Sequence, residues 1–310
     1  MLGYLIRRLA YSLFVLWGAV TIVFVVLRVV PGDPALVILG PDASPADVAR
    51  LRHGMGLDQP LLVQYGHYLA DVARLHFGDS IRLGGDAMGQ ILLRLPATAE
   101  LAVAAVVFAV TVGIGLGVAA ASRPNSWLDR LISVFTLVIQ STPTFWAGLV
   151  LLLIFARQLR VLPSEGAHSW QNIILPAITL GLGFLAMVTR LTRSGLLEIS
   201  HESYLNTVRA KGLSERVVVF PHAIRNALIP VVTVIGLYLG SVLGGTVVIE
   251  TVFAWPGAGR LIADSIGYRD YNVVQAGVIL IAALFVVVNL LVDLLYGLID
   301  PRVSVGSVSR

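Results

Sequence analysis

Six long apolar runs limit what this chain can fold into. Each run is long enough to cross the roughly 30 Å hydrocarbon core of a bilayer as an α-helix, and the runs occupy residues 9–29, 100–122, 131–156, 172–190, 227–250 and 273–298. Hydrophobic residues make up 57% of the chain, compared with roughly 45–50% in soluble domains. The sequence therefore predicts an all-α integral membrane protein, in which residues 1–310 form one domain with six transmembrane helices.

The basic residues predict the orientation of these spans, because short cytoplasmic loops carry an excess of Arg and Lys. Six spans place both termini on the same side of the membrane. That side carries Arg7, Arg8, Arg123, Arg130, Arg190, Arg193, Arg209, Lys211, Arg216, Arg225, Arg302 and Arg310, and the short loops opposite carry Arg157, Arg160, Arg260 and Arg269. Both termini and residues 191–226 are therefore predicted to be cytoplasmic.

Residues 31–99 are too long and too polar to be a simple turn between the first two spans. Ser44 followed by Pro45 is typical of a helix start, and Pro60 precedes a second stretch with an amphipathic pattern. The sequence predicts a helical external segment here. This segment either packs on the spans as a structural cap or forms a surface that binds a protein delivering a substrate.

Residues 191–226 form a basic, polar segment between two apolar runs. Tyr204, Leu205 and Val208 fall on one face of a helix, and Gly212 suits the position just after a helix ends. The pattern predicts a compact helical element at the cytoplasmic surface. Such an element is a place where a partner protein can apply force to the spans.

The third span contains a polar break in an otherwise apolar run, formed by Gln140, Ser141, Thr142, Pro143 and Thr144. Pro143 removes a backbone hydrogen bond and kinks the helix, while nearby hydroxyls can satisfy the freed carbonyl groups. The kink either lines a translocation pathway or is a structural feature buried against other spans. Asn289, near the inner end of the last span, is a further candidate for the pathway.

The sequence lacks the residues that several kinds of functional site require. The apolar stretches 9–27, 101–122, 131–156, 172–189, 227–249 and 273–292 contain no Asp, Glu, Lys, Arg or His, so they offer no obvious site for a coupling ion. The chain has no phosphate-binding P-loop sequence, no cysteine and no His spacing typical of a metal site. No basic face with interleaved aromatic residues suggests nucleic-acid binding. We therefore predict no catalytic, cofactor-binding or metal-binding residue in this chain, and no enzyme activity.

A series of short motifs, in order along nearly the whole chain, resembles one family of transport proteins. The motifs are YLIRRL at 4–9, VVPGDP at 29–34, GLDQPLLVQY at 56–65, FGDS at 77–80, LPATAEL at 95–101, STPTFW at 141–146, RAKGLS at 209–214, HAIRNALIP at 222–230, ETVFAWPGAG at 250–259 and DPR at 300–302. Together they resemble the permease subunits of peptide-type ABC importers, the group that transports dipeptides, oligopeptides, glutathione or nickel. The pattern is most similar to the first of their two paired permeases.

The resemblance implies the type I permease fold of ABC importers in the inner or plasma membrane of a bacterium or archaeon. It implies three kinds of partner besides membrane lipid: a second, homologous permease that forms a heterodimer, two ATPase subunits that hold ATP and Mg, and an extracytoplasmic substrate-binding protein. It also implies that a short cytoplasmic helix docks on the ATPase. The residues expected to couple to the ATPase are Tyr204, Leu205, Val208, Arg209, Ala210, Lys211, Gly212 and Leu213.

The function implied is that of half the translocation pathway of an ATP-driven importer for dipeptides or oligopeptides. A permease of the same family for nickel, glutathione or another small solute is the first alternative. A self-contained channel or secondary carrier is the second, although the charge-free spans disfavour it.

Overall fold

The computed structural model of the protein describes residues 2–29, 34–40, 42–200, 224 and 227–299. This part of the chain is helical and contains no β-strand, only an isolated bridge between Asp79 and Asp86. The α-helices are α1 (Leu2–Val29), α2 (Pro34–Leu39), α3 (Pro45–Gly54), α4 (Leu61–Ala73), α5 (Ala87–Ser122), α6 (Trp127–Ser141), α7 (Thr144–Leu151), α8 (Ile174–Ser200), α9 (Ile229–Val252), α10 (Ala258–Gly267) and α11 (Tyr271–Ile299). A π-helix, Leu152–Gln158, extends α7, and a 3₁₀ turn, Trp170–Ile173, precedes α8.

Four segments of the described chain are single helices that are long and apolar enough to cross a membrane: Ile6–Val29, Ala87–Ser122, Trp170–Ser200 and Tyr271–Val292. Two further segments pass the same test as bent pairs. One pair joins Trp127–Ser141 to Thr144–Gln158 with a bend of 110°, and the other joins Pro230–Gly240 to Gly244–Val252 with a bend of 69°. Counting each pair as one span gives six, and the predicted all-α membrane fold is confirmed.

Helices α5 and α8 extend well beyond the apolar runs that predicted them in the sequence. α5 begins at Ala87, well before residue 100, because the Asp86 side chain accepts a hydrogen bond from the Gly89 N–H at 2.7 Å and caps the helix. The helix continues through Pro96. α8 continues from the apolar run to Ser200, so the segment 191–226 starts as part of this helix.

The external segment between α1 and α5 contains α2, α3 and α4 and ends in the loop 74–86. Ser44 caps α3, as the sequence predicts, by accepting a hydrogen bond from the Asp47 N–H at 3.2 Å. The segment packs on the bundle through an apolar cluster that includes Phe24 of α1, Tyr68 of α4 and Met88 of α5. The same cluster includes Leu261 of α10 and Val273 of α11.

Three acidic side chains are buried in the described part of the chain, and each lies near the end of an apolar helix. They are Asp129, Glu250 and Asp270, with 3%, 0% and 2% of their surface exposed. Asp270 accepts a hydrogen bond from the Ser80 hydroxyl at 2.6 Å and one from the Arg82 N–H at 3.3 Å. This carboxylate therefore fastens the loop after α4 to the start of α11.

α5 and α8 pack closely against each other through glycines of α5. A Cβ atom added at Gly113 would lie 2.9 Å from Val188 Cβ, and one added at Gly117 would lie 2.6 Å from Thr192 Cβ and 2.8 Å from the Thr189 carbonyl oxygen. Small residues allow helices to approach this closely in a membrane. Gly115, between these two glycines, has open space around it.

We predict that Gly117→Ala destabilises the protein and that Gly115→Ala does not. The added methyl group at position 117 has no room, and overpacking of this kind costs about 1–3 kcal/mol. Thermal unfolding of the purified variants in the same detergent measures the difference. Equal melting temperatures for the two variants would contradict the close α5–α8 contact.

Candidate translocation pathway

The span formed by α6 and α7 breaks at Thr142 and Pro143, the position that the sequence predicts. Pro143 has no N–H to donate to the Ile139 carbonyl, which instead accepts from the Thr142 N–H at 3.2 Å. The Val138 carbonyl accepts from the Thr142 hydroxyl at 2.7 Å. The broken helix thus keeps both carbonyl groups satisfied, as a membrane interior requires.

The break opens onto a cavity of about 680 Å³ between α5, α6, α7 and α8. Gln140, Thr142 and Thr144 line this cavity, whereas Ser141 and Pro143 do not. Its wall is otherwise mainly apolar, with the largest side chains coming from Phe108, Leu116, Phe135, Trp146 and Leu182. The structure therefore brings together three of the five residues of the polar break.

The chemistry of the cavity is that of uncharged groups. No ionisable side chain is among its lining residues, so a solute there meets an amide, two hydroxyls and apolar surface. Amides and hydroxyls both donate and accept hydrogen bonds. Such a wall can contact peptide groups and apolar side chains without selecting a particular charge.

Asn289 lies apart from the cavity, in the contact between α11 and α9. Its Nδ2 donates a hydrogen bond to the Phe285 carbonyl oxygen at 2.8 Å, and its side chain sits against Gly240. A Cβ atom added at Gly240 would lie 2.5 Å from this Nδ2. The structure thus separates Asn289 from residues 140–144.

The predicted ATPase-coupling residues lie outside the described residues. These are Tyr204, Leu205, Val208, Arg209, Ala210, Lys211, Gly212 and Leu213. The structure does describe the helix that leads to them, α8, up to Ser200.

An ion pair between the buried Asp129 and the partly exposed Arg193 joins the last part of α8 to the start of α6, and the sequence patterns did not reveal it. Arg193 Nε and Nη2 donate to the two carboxylate oxygens of Asp129 at 2.6 and 2.8 Å. Asp129 also accepts from the Asn125 N–H at 2.9 Å. Bidentate pairs of this kind fix geometry as well as charge. The pair holds the short loop between α5 and α6 against the helix that precedes residues 201–223.

Comparison with known proteins identifies the family. Residues 113–305 match the family described as "Binding-protein-dependent transport system inner membrane component". Residues 1–102 match the N-terminal part of the membrane component of such systems. The chain belongs to this family.

Curated relatives cover nearly the whole permease chain. A dipeptide transport system permease protein, DppB, of Alkalihalophilus pseudofirmus is 41% identical and covers 98% of this chain and 100% of its own. A glutathione transport system permease protein, GsiC, of Salmonella typhimurium is 43% identical and covers 98% of this chain and 99% of its own. The predicted resemblance to ABC importer permeases is confirmed.

A solved structure shows the same fold. The methionine ABC transporter MetNI, in inward-facing conformations, gives a TM-score of 0.55 at 20% identity, covering 68% of this chain and 95% of the matched chain. The predicted type I permease fold is confirmed. The permease is a membrane-embedded component of an ABC transport system, and it works with ATPase and other transporter subunits.

We predict that Pro143→Ala reduces the bend between α6 and α7. Alanine supplies the N–H that Pro143 lacks, so a helical hydrogen bond to the Ile139 carbonyl can form and the helix can continue through the break. Because the chain has no cysteine, spin labels can be placed at the exposed positions Val134 and Leu149. Electron paramagnetic resonance should report a longer distance in the variant.

The matched control is Pro176→Ala, because Pro176 lies in the first turn of α8, where no backbone N–H is needed. It should leave the distance between the labels unchanged. The interpretation of the break is wrong if Pro143→Ala also leaves the distance distribution unchanged.

We also predict that Asp129→Asn destabilises the permease by about 2 kcal/mol, because the change removes the charge from a buried, doubly bonded partner of Arg193. Asp264→Asn is the control, since that carboxylate is 46% exposed and lies 3.7 Å from Arg260. Thermal unfolding in detergent distinguishes the two. A loss of stability no larger than that of the control would show that the ion pair contributes little.

Proposed function

We propose that this permease forms half of the translocation pathway of an ATP-driven importer for dipeptides or oligopeptides. The observation that carries the proposal is the uncharged cavity at the break between α6 and α7. Peptides differ in side-chain charge and size, so a pathway that accepts many of them gains nothing from fixed charges. The relatives named for dipeptide and glutathione transport support a short peptide as the cargo.

Glutathione, itself a short peptide, stands as the first alternative cargo because a named relative transports it. The cavity gives less support to nickel. Divalent nickel favours nitrogen donors such as imidazole, and no imidazole is among the residues that line the cavity. In the described part of the chain, no group of three or more metal-ligating residues comes together.

The proposed assembly contains a second homologous permease, two ATPase subunits that bind ATP and Mg, and an external substrate-binding protein. Both termini and the segment 191–226 face the cytoplasm, as the arginine distribution indicates. ATP-driven closure of the ATPases pushes on residues 203–213 and so shifts the spans between inward-open and outward-open states. ATP acts on the pathway only through its different affinity for these two states.

The ion pair between Asp129 and Arg193 supports this route for the force. It fixes the end of α8 to the start of α6, and α6 leads directly to the break that opens onto the cavity. A displacement of the segment after Ser200 therefore acts on both walls of the cavity, α8 and α6. This ion pair therefore fixes α8, the helix that leads towards residues 203–213, to α6.

Purification of the tagged permease from its own membranes tests the assembly. We expect a sister permease and ATPase subunits to purify with it, and hydrolysis of ATP to rise when a peptide-loaded binding protein is added. A homo-oligomer that transports solute without any ATPase would overturn the proposal and support a channel or carrier.

Gly212→Pro tests the coupling segment. We expect the variant complex to assemble and hydrolyse ATP while peptide uptake into proteoliposomes is lost, because proline rigidifies the turn that glycine allows. Gly212→Ala is the control, since alanine keeps the backbone N–H. Normal uptake by the proline variant would contradict a coupling role for residues 203–213.

A further inference from the structure

Glu250 occupies an unusual place for a carboxylate: it is fully buried, with 0% of its surface exposed, at the end of the apolar helix α9. Its Oε1 accepts a hydrogen bond from the Thr98 hydroxyl of α5 at 2.7 Å. Its Oε2 accepts one from the Arg260 N–H at 2.8 Å. The Gly259 N–H and the Thr246 hydroxyl also bond to this side chain. The carboxylate therefore joins three helices at one point: α5, α9 and the first turn of α10.

Thr98 of α5 connects the Glu250 carboxylate to the N-terminus of α10. Its Oγ1 donates to Glu250 and accepts from the Ala258 N–H at 2.9 Å, and only 1% of the residue is exposed. The indole of Trp255 adds a second connection to α5 by donating to the Ala97 carbonyl at 2.9 Å. The N-terminus of α10, where N–H groups lack partners within the helix, is thus satisfied by α9 and α5.

Two glycines make room for the carboxylate. A Cβ atom added at Gly257 would collide with the Glu250 carboxyl group, and one added at Gly259 would lie 2.8 Å from Val247 Cα and 2.9 Å from Glu250 Oε2. The sequence motifs LPATAEL and ETVFAWPGAG therefore meet in space. The first supplies Thr98, and the second supplies both the carboxylate and the glycines around it.

The side of α10 contributes to the apolar cluster that the external segment shares with the long helices. Leu261 and Ile262 belong to this cluster, which also contains Tyr68 of α4 and Phe77 of the following loop. α10 thus has one end bonded to α5 and α9, while its side takes part in the same apolar cluster as the external segment. In the described structure, this helix links the external segment to both of those long helices.

We propose that Glu250, Thr98 and the first turn of α10 form the joint through which a binding protein on the external segment acts on α5 and α9. The proposal rests on the function proposed above. Thr98 and Glu250 are positioning residues, because they act through α10 and the helices rather than on the cargo. α5 then carries the displacement to α8 through the contacts of Gly113 and Gly117.

The test measures ATP hydrolysis by the complete complex, with and without its binding protein loaded with alanyl-alanine. In Thr98→Val, which keeps the shape but removes the hydroxyl, we expect basal hydrolysis to persist. We expect the stimulation to fall on the order of tenfold, which corresponds to about 1.4 kcal/mol of coupling free energy. Thr98→Ser, which keeps the hydroxyl, should restore the response.

A cross-link provides a second test, in which a disulfide replaces the hydrogen bonds of Thr98. The permease has no native cysteine, so Thr98→Cys combined with Ala258→Cys allows one disulfide to be formed and reduced. We expect the stimulation by the loaded binding protein to be weak in the reduced complex, which lacks the Thr98 hydroxyl, and to rise on oxidation, because the disulfide again holds α5 and α10 together. The single variant Thr98→Cys controls for oxidation elsewhere in the complex.

The outcomes separate this inference from the proposed function. Full stimulation in Thr98→Val overturns the joint while leaving the importer intact. Stimulation that does not rise on oxidation of the double-cysteine variant also overturns it, because a covalent link between α5 and α10 would then fail to replace the joint. A wild-type complex that purifies without ATPase, or does not respond to its binding protein, overturns the proposed function and the joint together.

Discussion

The exclusion of charge from the membrane interior is the constraint on which the rest of this structure depends. A charge in the hydrocarbon region is costly, so the buried carboxylates that fix the helices relative to one another lie near the helix ends. Asp129, Glu250 and Asp270 are all buried there. Each carboxylate accepts at least one backbone N–H and one side-chain donor from another part of the chain. These carboxylates fix the relative positions of the helices, because contacts between apolar faces alone would define those positions poorly.

Between these ends, the helices differ in how firmly they are held. α5 and α8 meet through glycines so closely that a single added methyl group has no room at Gly117. The span formed by α6 and α7 is instead bent by 110° around Pro143, and an open cavity lies beside it. Close packing transmits displacement, whereas a broken helix beside a cavity can change shape. The permease thus combines a stiff pair of helices with a deformable one around the same cavity.

The sequence predicted those features that depend on residues close together along the chain. Apolar length revealed the helices, Ser44 marked the start of α3, and Pro143 marked the break. It missed the contact of Arg193 with Asp129 and the contact of Thr98 with Glu250, because their partners lie far apart in the sequence and helix periodicity does not identify them. The sequence did not predict the apolar wall of the cavity for the same reason, because residues from four helices form it.

An uncharged cavity also fits the proposed division of roles, in which the energy source and much of the selectivity lie in other subunits. A cavity lined by hydroxyls, an amide and apolar side chains offers similar contacts to many short peptides. It can therefore change shape without breaking a strong charge pair around its cargo. The cavity lining has no ionisable group that could bind a driving ion, which fits the proposed bias of the two states by the ATPase subunits. The buried contacts at the helix ends provide firm attachment points for that bias, with Arg193 towards one end of the bundle and Glu250 towards the other.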